Sequence, residues 1–467
     1  MHTAKRSLVS GLKVVHWIAL ASVTAAVFLI VKSFGGTVED PLAWRTAGLL
    51  ILAIGLFATH AIPEFLTGLI VLFLAVVLKI APNQVIFTGF SVGGFWLLFS
   101  GIIIGQAVGH AGLGKFIAQR FLARVELTFA RTVVLLVVVG TLLGFVVPAT
   151  IPRIIILMPI AIGLAQAMGY QEMSRGYTGI AIAVATGTLF PTFMVMTANL
   201  PTVVHISVMD ALYENAPSFS AWFTYLMPLS IFRAVVLIAI IAILFGVRSS
   251  TAQVADNDEP MTPKQKRLAS ILAITLMLWL TDTWHGIAPA WIALATAIVV
   301  LLPPLQLLPS SAMKEKIDLS PVFYVAGVLC IGAIMQHNGL DAQLGTAVLQ
   351  HLGLEAGATI LNYYLVLVMS VFSSMAFTTP AVPIMLVPLA GQISDMTGLS
   401  LMTVLMTQFV GFSTILFPYQ VPPLVVALSL CRIQVRDLIK TCVLLAAAVF
   451  LLGAPLNLIW WYWIGLL

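Results

Sequence analysis

Gly105-Gln-Ala-Val-Gly-His110-Ala-Gly-Leu113 returns 227 residues later as Gly332-Ala-Ile-Met-Gln-His337-Asn-Gly-Leu340. Leu189-Phe-Pro191 returns as Leu416-Phe-Pro418 at the same offset. Between them, Ala149-Thr150 inside Pro148-Ala-Thr-Ile-Pro152 has Thr378-Thr379 inside Thr378-Thr-Pro-Ala-Val-Pro383 as its counterpart, at an offset near 229. Three short matches in one order and at nearly one spacing mark an internal duplication. In a membrane protein, two such halves point to a transporter whose site lies at the repeat interface.

Composition places the chain in a membrane. Its 467 residues are 61% hydrophobic and 8% charged, against roughly 25% charged for a soluble domain. The net charge of +5 is therefore read as orientation rather than as nucleic-acid binding. Lys5, Arg6 and Lys13 precede an apolar run from Val14 to Val31 that resembles a secretory signal. Its length and the lack of a small-residue cleavage site predict a retained first helix. Cys330, Cys431 and Cys442 show no metal-ligand spacing and read as buried small hydrophobes.

Apolar segments at about 14–33, 45–61, 64–81, 93–110, 178–204, 220–246, 267–284, 287–304, 320–338, 401–427 and 440–460 predict eleven transmembrane helices. Two further pairs, 131–147 with 153–168 and 361–378 with 381–397, have only proline-containing junctions between their arms. Each pair reads as a re-entrant hairpin with its tip inside the bilayer. The expected fold is thus an all-α polytopic membrane protein, with two opposed re-entrant hairpins in an inverted repeat. Residues 1–44 hold an N-terminal helix outside the repeat. Residues 45–246 form the first repeat, with a cytoplasmic-side hairpin at 131–168. A cytoplasmic linker at 247–266, with Asp256, Asp258 and Glu259, leads to the second repeat at 267–467, whose outer-side hairpin spans 361–397. This topology puts 17 of the 22 basic residues on the cytoplasmic side together with the N-terminus, as the positive-inside rule requires.

A hairpin tip brings a helix N-terminus, which suits an anion, together with carbonyls and hydroxyls, which suit a cation such as sodium. Ala149 and Thr150 lie at the first tip, and Thr378 and Thr379 at the second. The helices that follow are interrupted at matched places, the first around Thr188, Pro191, Thr197 and Asn199, the second around Thr414, Pro418 and Gln420. Together with Arg153 these polar residues form the candidate substrate site, and Thr150, Thr188, Thr379 and Thr414 are the candidates near a sodium ion. The competing reading is that the prolines only kink packed helices while the hydroxyls bond their own backbone. Arg153, three residues past Thr150, is the sharpest of the set. A charge at a helix centre costs about 2.5–3.5 kcal/mol on insertion scales, so it is expected either to hold an oxyanion in its fork or to bond hairpin carbonyls. Arg233 reads as structural, and His110 and His337 as helix-end residues. Asp282 near a helix end is a weaker candidate for proton relay.

Leu278-Trp-Leu-Thr-Asp282-Thr-Trp-His285-Gly-Ile-Ala-Pro-Ala-Trp, the hairpin ending in Leu157-Met-Pro159-Ile, and the proline-interrupted helices resemble the divalent anion:sodium symporter family. The resemblance spans nearly the whole chain. It implies transport of dicarboxylate, citrate or sulfate by homodimers of a scaffold and a mobile domain, working by an elevator motion. It also implies that the mobile domain holds both hairpins and the segments 178–204, 220–246, 401–427 and 440–460. The family's Ser-Asn-Thr tips are replaced here by Ala149-Thr150-Ile151 and Thr378-Thr379-Pro380. A fixed cation at Arg153 in place of a bound sodium is one reading of that departure, leaving exchange, uniport or proton coupling.

The expected function is secondary transport of a small anion, with no cofactor beyond a sodium ion or proton as coupling ion. The expected partners are the anion, membrane lipid and a second copy of the chain, with no nucleic acid. A bacterial inner membrane is the expected location. A sodium/proton antiporter would want an acidic residue at the tips, an anion channel would not need opposed hairpins, and an intramembrane enzyme would need a nucleophile or metal ligands. No nucleotide-binding loop of the Gly-x-x-x-x-Gly-Lys-Ser/Thr type is present.

Overall fold

The computed structural model describes residues 2–35, 39–59, 61–122, 128–247, 260–305, 307–309, 311, 317–340 and 351–467. Among these, the regular structure is helical and no strand occurs. Linker residues 248–259, with Asp256, Asp258 and Glu259, lie outside the described residues. So do Arg124, Arg248, Lys314 and Lys316 and the side chains of Lys5, Arg6 and Lys13, which entered the orientation argument.

The first part of the chain runs α1 (His2–Phe34), α2 (Pro41–Thr59), α3 (Glu64–Val77), α4 (Asn83–Ile86), α5 (Gly93–Ala111), α6 (Leu113–Leu122), α7 (Phe129–Val146), α8 (Thr150–Ala167), α9 (Arg175–Gly187), α10 (Leu200–Tyr213) and α11 (Phe219–Phe245). The second runs α12 (Pro263–Leu280), α13 (Asp282–His285), α14 (Pro289–Leu301), α15 (Ser320–His337), α16 (Thr359–Ala376), α17 (Val382–Leu386), α18 (Ala390–Thr397), α19 (Leu401–Phe412), α20 (Pro422–Leu430), α21 (Val435–Ala448) and α22 (Ala454–Trp463). Among the described residues, nine helices are long and apolar enough to cross a bilayer. Helices α2, α3, α10, α14 and α19 supply shorter apolar stretches.

The duplication in sequence is a duplication of helix ends. α5 stops at Ala111 and α15 at His337, each followed by a glycine in left-handed conformation, Gly112 (φ 65°) and Gly339 (φ 68°). That glycine of the His-x-Gly-Leu match is what a helix C-terminus calls for. The Leu-Phe-Pro match sits inside two helix breaks, where short 3-10 turns begin at the prolines, Pro191–Met194 after α9 and Pro418–Gln420 after α19. Neither proline can donate to the helical ladder.

The helices at the two expected hairpins differ from expectation at their ends. α8 starts at Thr150, three residues before the apolar run suggests. Pro152 falls in its first turn, where a missing N–H leaves no bond unmade. Both α7 and α8 then have 18 residues, the length of a span rather than of a short arm. The segment expected as the returning arm of the second hairpin is not one helix but α17, a 3-10 turn at Val387–Leu389, and α18. There the Tyr213 hydroxyl bonds the carbonyls of Val387 (3.0 Å) and Pro388 (3.1 Å), while the Gly391 N–H donates to it (3.2 Å). An inserted side chain of this kind opens the i→i−4 ladder.

Contacts group the chain into two compact units. One comprises Met1–Phe95, Val204–Ala216 and Asp318–Phe409; the other comprises Trp96–Val203, Pro217–Ile317 and Val410–Leu467. Inside the first, α3 and α15 cross with no room for a side chain at their contact, since a Cβ on Gly327 would lie 2.2 Å from the Gly68 Cα. Inside the second, α7 approaches α9 equally closely: a Cβ on Gly187 would lie 2.9 Å from the Val137 Cα, and one on Gly140 3.1 Å from Thr188. Small residues permit such approaches between membrane helices. Gly140 and Gly144 form a Gly-x-x-x-Gly pair on α7, and α16 has Ser370 and Ser374 at the same spacing.

Candidate functional site

The second unit holds the junction between α7 and α8 and both helix breaks. Its centre is Arg153, on the first turns of α8 and fully buried. Nη2 of Arg153 lies near four oxygens: the Ala198 carbonyl (2.9 Å), the Thr150 hydroxyl (3.0 Å), the Asn199 amide oxygen (3.2 Å) and the Thr192 hydroxyl (3.4 Å). These oxygens are themselves joined. The Thr150 hydroxyl donates to Asn199 Oδ1 (2.6 Å), and Asn199 Nδ2 donates to the Thr192 hydroxyl (3.2 Å). The Thr192 hydroxyl in turn donates to the Leu189 carbonyl (2.8 Å). Tip and first break are thereby tied into one polar cluster.

The rest of the guanidinium is differently placed. Nε and Nη1 are buried without a hydrogen-bond partner among the described residues. Of the five N–H donors an arginine carries, three are thus unused. Among the described residues no acidic side chain bonds Arg153. Its position near the N-terminus of α8 adds the helix dipole's positive end to its own charge. The electrostatic balance of this cluster is positive, and an anion is what such a field favours.

Backbone geometry supports the placement. Ala149, the residue before α8, has φ 71° and ψ 138°, a conformation a non-glycine residue holds at a cost of roughly 1–3 kcal/mol. Gly144 on α7 makes room opposite: a Cβ there would stand 2.7 Å from Arg153 Nη1 and 2.7 Å from Thr192 Cγ2.

The remaining residues singled out from the sequence fall as follows. Thr197 is buried in the first break. The Thr188 hydroxyl donates to the Val184 carbonyl (2.8 Å) and that of Thr414 to the Val410 carbonyl (2.8 Å), so both bond their own helices. Gln420 Oε1 accepts from the N–H groups of Leu416 (2.8 Å) and Phe417 (2.7 Å), closing the turn of the second break. Thr378 and Thr379 belong to the other compact unit, where their hydroxyls are buried without a partner among the described residues. Arg233, on α11, is buried and donates to the Ser413 hydroxyl (2.9 Å) in the second break. Its guanidinium carbon lies 5.4 Å from the Phe193 ring of the first break. Asp282 accepts from the Phe219 N–H (2.5 Å) and the Ser220 hydroxyl (2.7 Å), capping the start of α11.

Sequence reading missed Thr192 and Gly144. Thr192 follows the repeated Pro191 directly, and Gly144 completes a Gly-x-x-x-Gly pair; both signals were in the chain. Among the described residues no group of three or more His, Cys, Asp and Glu could hold a metal ion.

Among the described residues, a helical architecture with several apolar spans, two broken helices and a buried polar cluster is of the kind secondary transporters use. The model of the sodium:sulfate symporter transmembrane region matches residues 12–467, and the chain belongs to that family. A "Membrane protein" of Cupriavidus necator is 24% identical over 396 residues, covering 81% of this chain and 76% of that one. An "Uncharacterized transporter" of Haemophilus influenzae is 20% identical over 437 residues, covering 90% and 93%. The fold is shared with the YdaH transporter of Alcanivorax borkumensis, at a TM-score of 0.54, 16% identity, and coverage of 97% of this chain and 98% of that one.

Proposed function

We propose that this protein is a secondary transporter of a small divalent oxyanion, a dicarboxylate or sulfate, that binds against Arg153 and the polar groups around it. One observation carries the reading: a fully buried guanidinium with three unused donors and no carboxylate partner among the described residues. Burying such a charge uncompensated is costly, whereas a bound oxyanion both neutralises it and accepts its N–H groups. Ala149, Thr150, Thr192 and Asn199 line the same cluster; Thr197, Thr188, Thr414 and Gln420 shape the breaks beside it; Thr378 and Thr379 supply the second tip. The family description, which names sulfate, agrees with this substrate class. The lack of a polar loop between α7 and α8, and between α16 and α17, supports opposed re-entrant hairpins. By family likeness the protein works as an elevator and as a homodimer, in a bacterial inner membrane with its N-terminus in the cytoplasm.

Thermal unfolding of purified protein against sulfate, dicarboxylates, tricarboxylates, phosphonates and sulfonates tests the reading, with saturable uptake of any hit in liposomes. A ligand that stabilises the wild type and Arg153→Ala equally would remove Arg153 from the site.

A further inference from the structure

We infer that the oxygens around Arg153 form a cradle for an alkali cation that the guanidinium itself fills, so that this half of the binding region takes no sodium ion. The family description names sodium, and these residues do not fit that ion while Arg153 is present.

Nη2 has two N–H groups, and two acceptors would satisfy it. It has four oxygens within 2.9–3.4 Å instead: one carbonyl, one amide and two hydroxyls. A neutral, all-oxygen shell around one positive centre is what a hard cation gathers, whereas a directional donor needs no surplus. The shell is drawn from the hairpin tip and the helix break, at 3, 39, 45 and 46 residues from Arg153. A sodium ion, close in size to calcium, would hold such oxygens at about 2.4 Å. The cradle would therefore contract by roughly 0.5–1 Å on receiving one. With Nη2 in place there is no room for the ion, and like charge repels one nearby. The fixed charge does what a bound cation does in drawing an anion, but it cannot leave and so cannot transmit a sodium gradient. The inference deepens the anion-site reading and rests on it only for that last consequence.

The test needs no substrate. Wild type, Arg153→Ala and Arg153→Lys are unfolded thermally in sodium, potassium and choline chloride at equal ionic strength. Arg153→Ala is expected to gain a sodium-dependent rise in Tm of several degrees over any response of the wild type. Arg153→Lys, which keeps a positive charge beside the same oxygens, is expected to gain none. A sodium response of Arg153→Ala no larger than that of the wild type overturns the inference. Accumulation of Arg153→Ala only in cells or buffers containing sodium supports it, and failure to accumulate in either salt overturns it. The anion panel on the wild type is read separately: no shift with any anion would sink the transport reading and leave the sodium comparison standing.

Discussion

A Cβ placed on Gly144 would stand 2.7 Å from Nη1 of Arg153. Helix α7 is thus shaped around a side chain of α8. Gly144→Ala is expected to lower stability by about 1–3 kcal/mol, the cost of overpacking, and to weaken the response to a bound anion. Thermal unfolding in detergent measures both. Gly163→Ala on α8, where a Cβ meets nothing within 4 Å, is the control and should leave the anion response unchanged.

Asn199 joins the tip to the break, accepting from Thr150 and Arg153 while donating to Thr192. Asn199→Ala strands those groups and is expected to cost about 1–3 kcal/mol. Asn199→Asp acts differently: it places a carboxylate within reach of the guanidinium. The protein should stay folded but lose its stabilisation by anions, because the countercharge is already present. A full anion response in Asn199→Asp would show that Arg153 does not attract the ligand.

Asp282 accepts the Phe219 N–H and the Ser220 hydroxyl, which accounts for its burial without a proton-carrying role. Asp282→Ala is expected to cost about 1–2 kcal/mol, as loss of a helix cap does, and to leave the shape of the pH profile of uptake unchanged. A flattened profile would assign Asp282 a part in proton transfer.

Tyr213→Phe removes the hydroxyl inserted between Val387, Pro388 and Gly391. The returning arm of the second hairpin would then have unpaired backbone groups at its 3-10 turn. Expected is a loss of about 1–3 kcal/mol and faster amide exchange at residues 387–391, measured by hydrogen–deuterium exchange.

Much of the fold was legible because its punctuation is local. The His-x-Gly-Leu match announces two helix ends, and the Leu-Phe-Pro match two breaks, since glycine and proline act on the backbone where they stand. The arm ends were less so. Pro152 reads as a stop but sits in a helix's first turn, where proline is tolerated, and Tyr213 breaks a segment about 175 residues away. In the site, Thr150, Arg153 and Asn199 were legible as polar groups in apolar surroundings, and the structure brings them together. Thr188 and Thr414 looked alike in sequence but bond their own helices. A hydroxyl's choice between backbone and neighbour depends on its rotamer and the adjacent helix, not on its spacing. Thr192 stands beside a proline that alone accounts for the break, and Gly144 acts through a side chain it lacks, so neither role is written in a local pattern.

The hydrogen bonds of Arg153 also set a schedule for making the protein. Its partner nearest in sequence, Thr150, is already synthesised, but Thr192, Ala198 and Asn199 follow 39, 45 and 46 residues later. At about 5–20 residues per second, the guanidinium waits roughly 2–9 s for its shell. During that time water or the insertion machinery has to shelter it. Substitutions that delay α9 from entering should therefore lower yield by exposing Arg153 to degradation before the protein is complete, even where the finished fold would tolerate them.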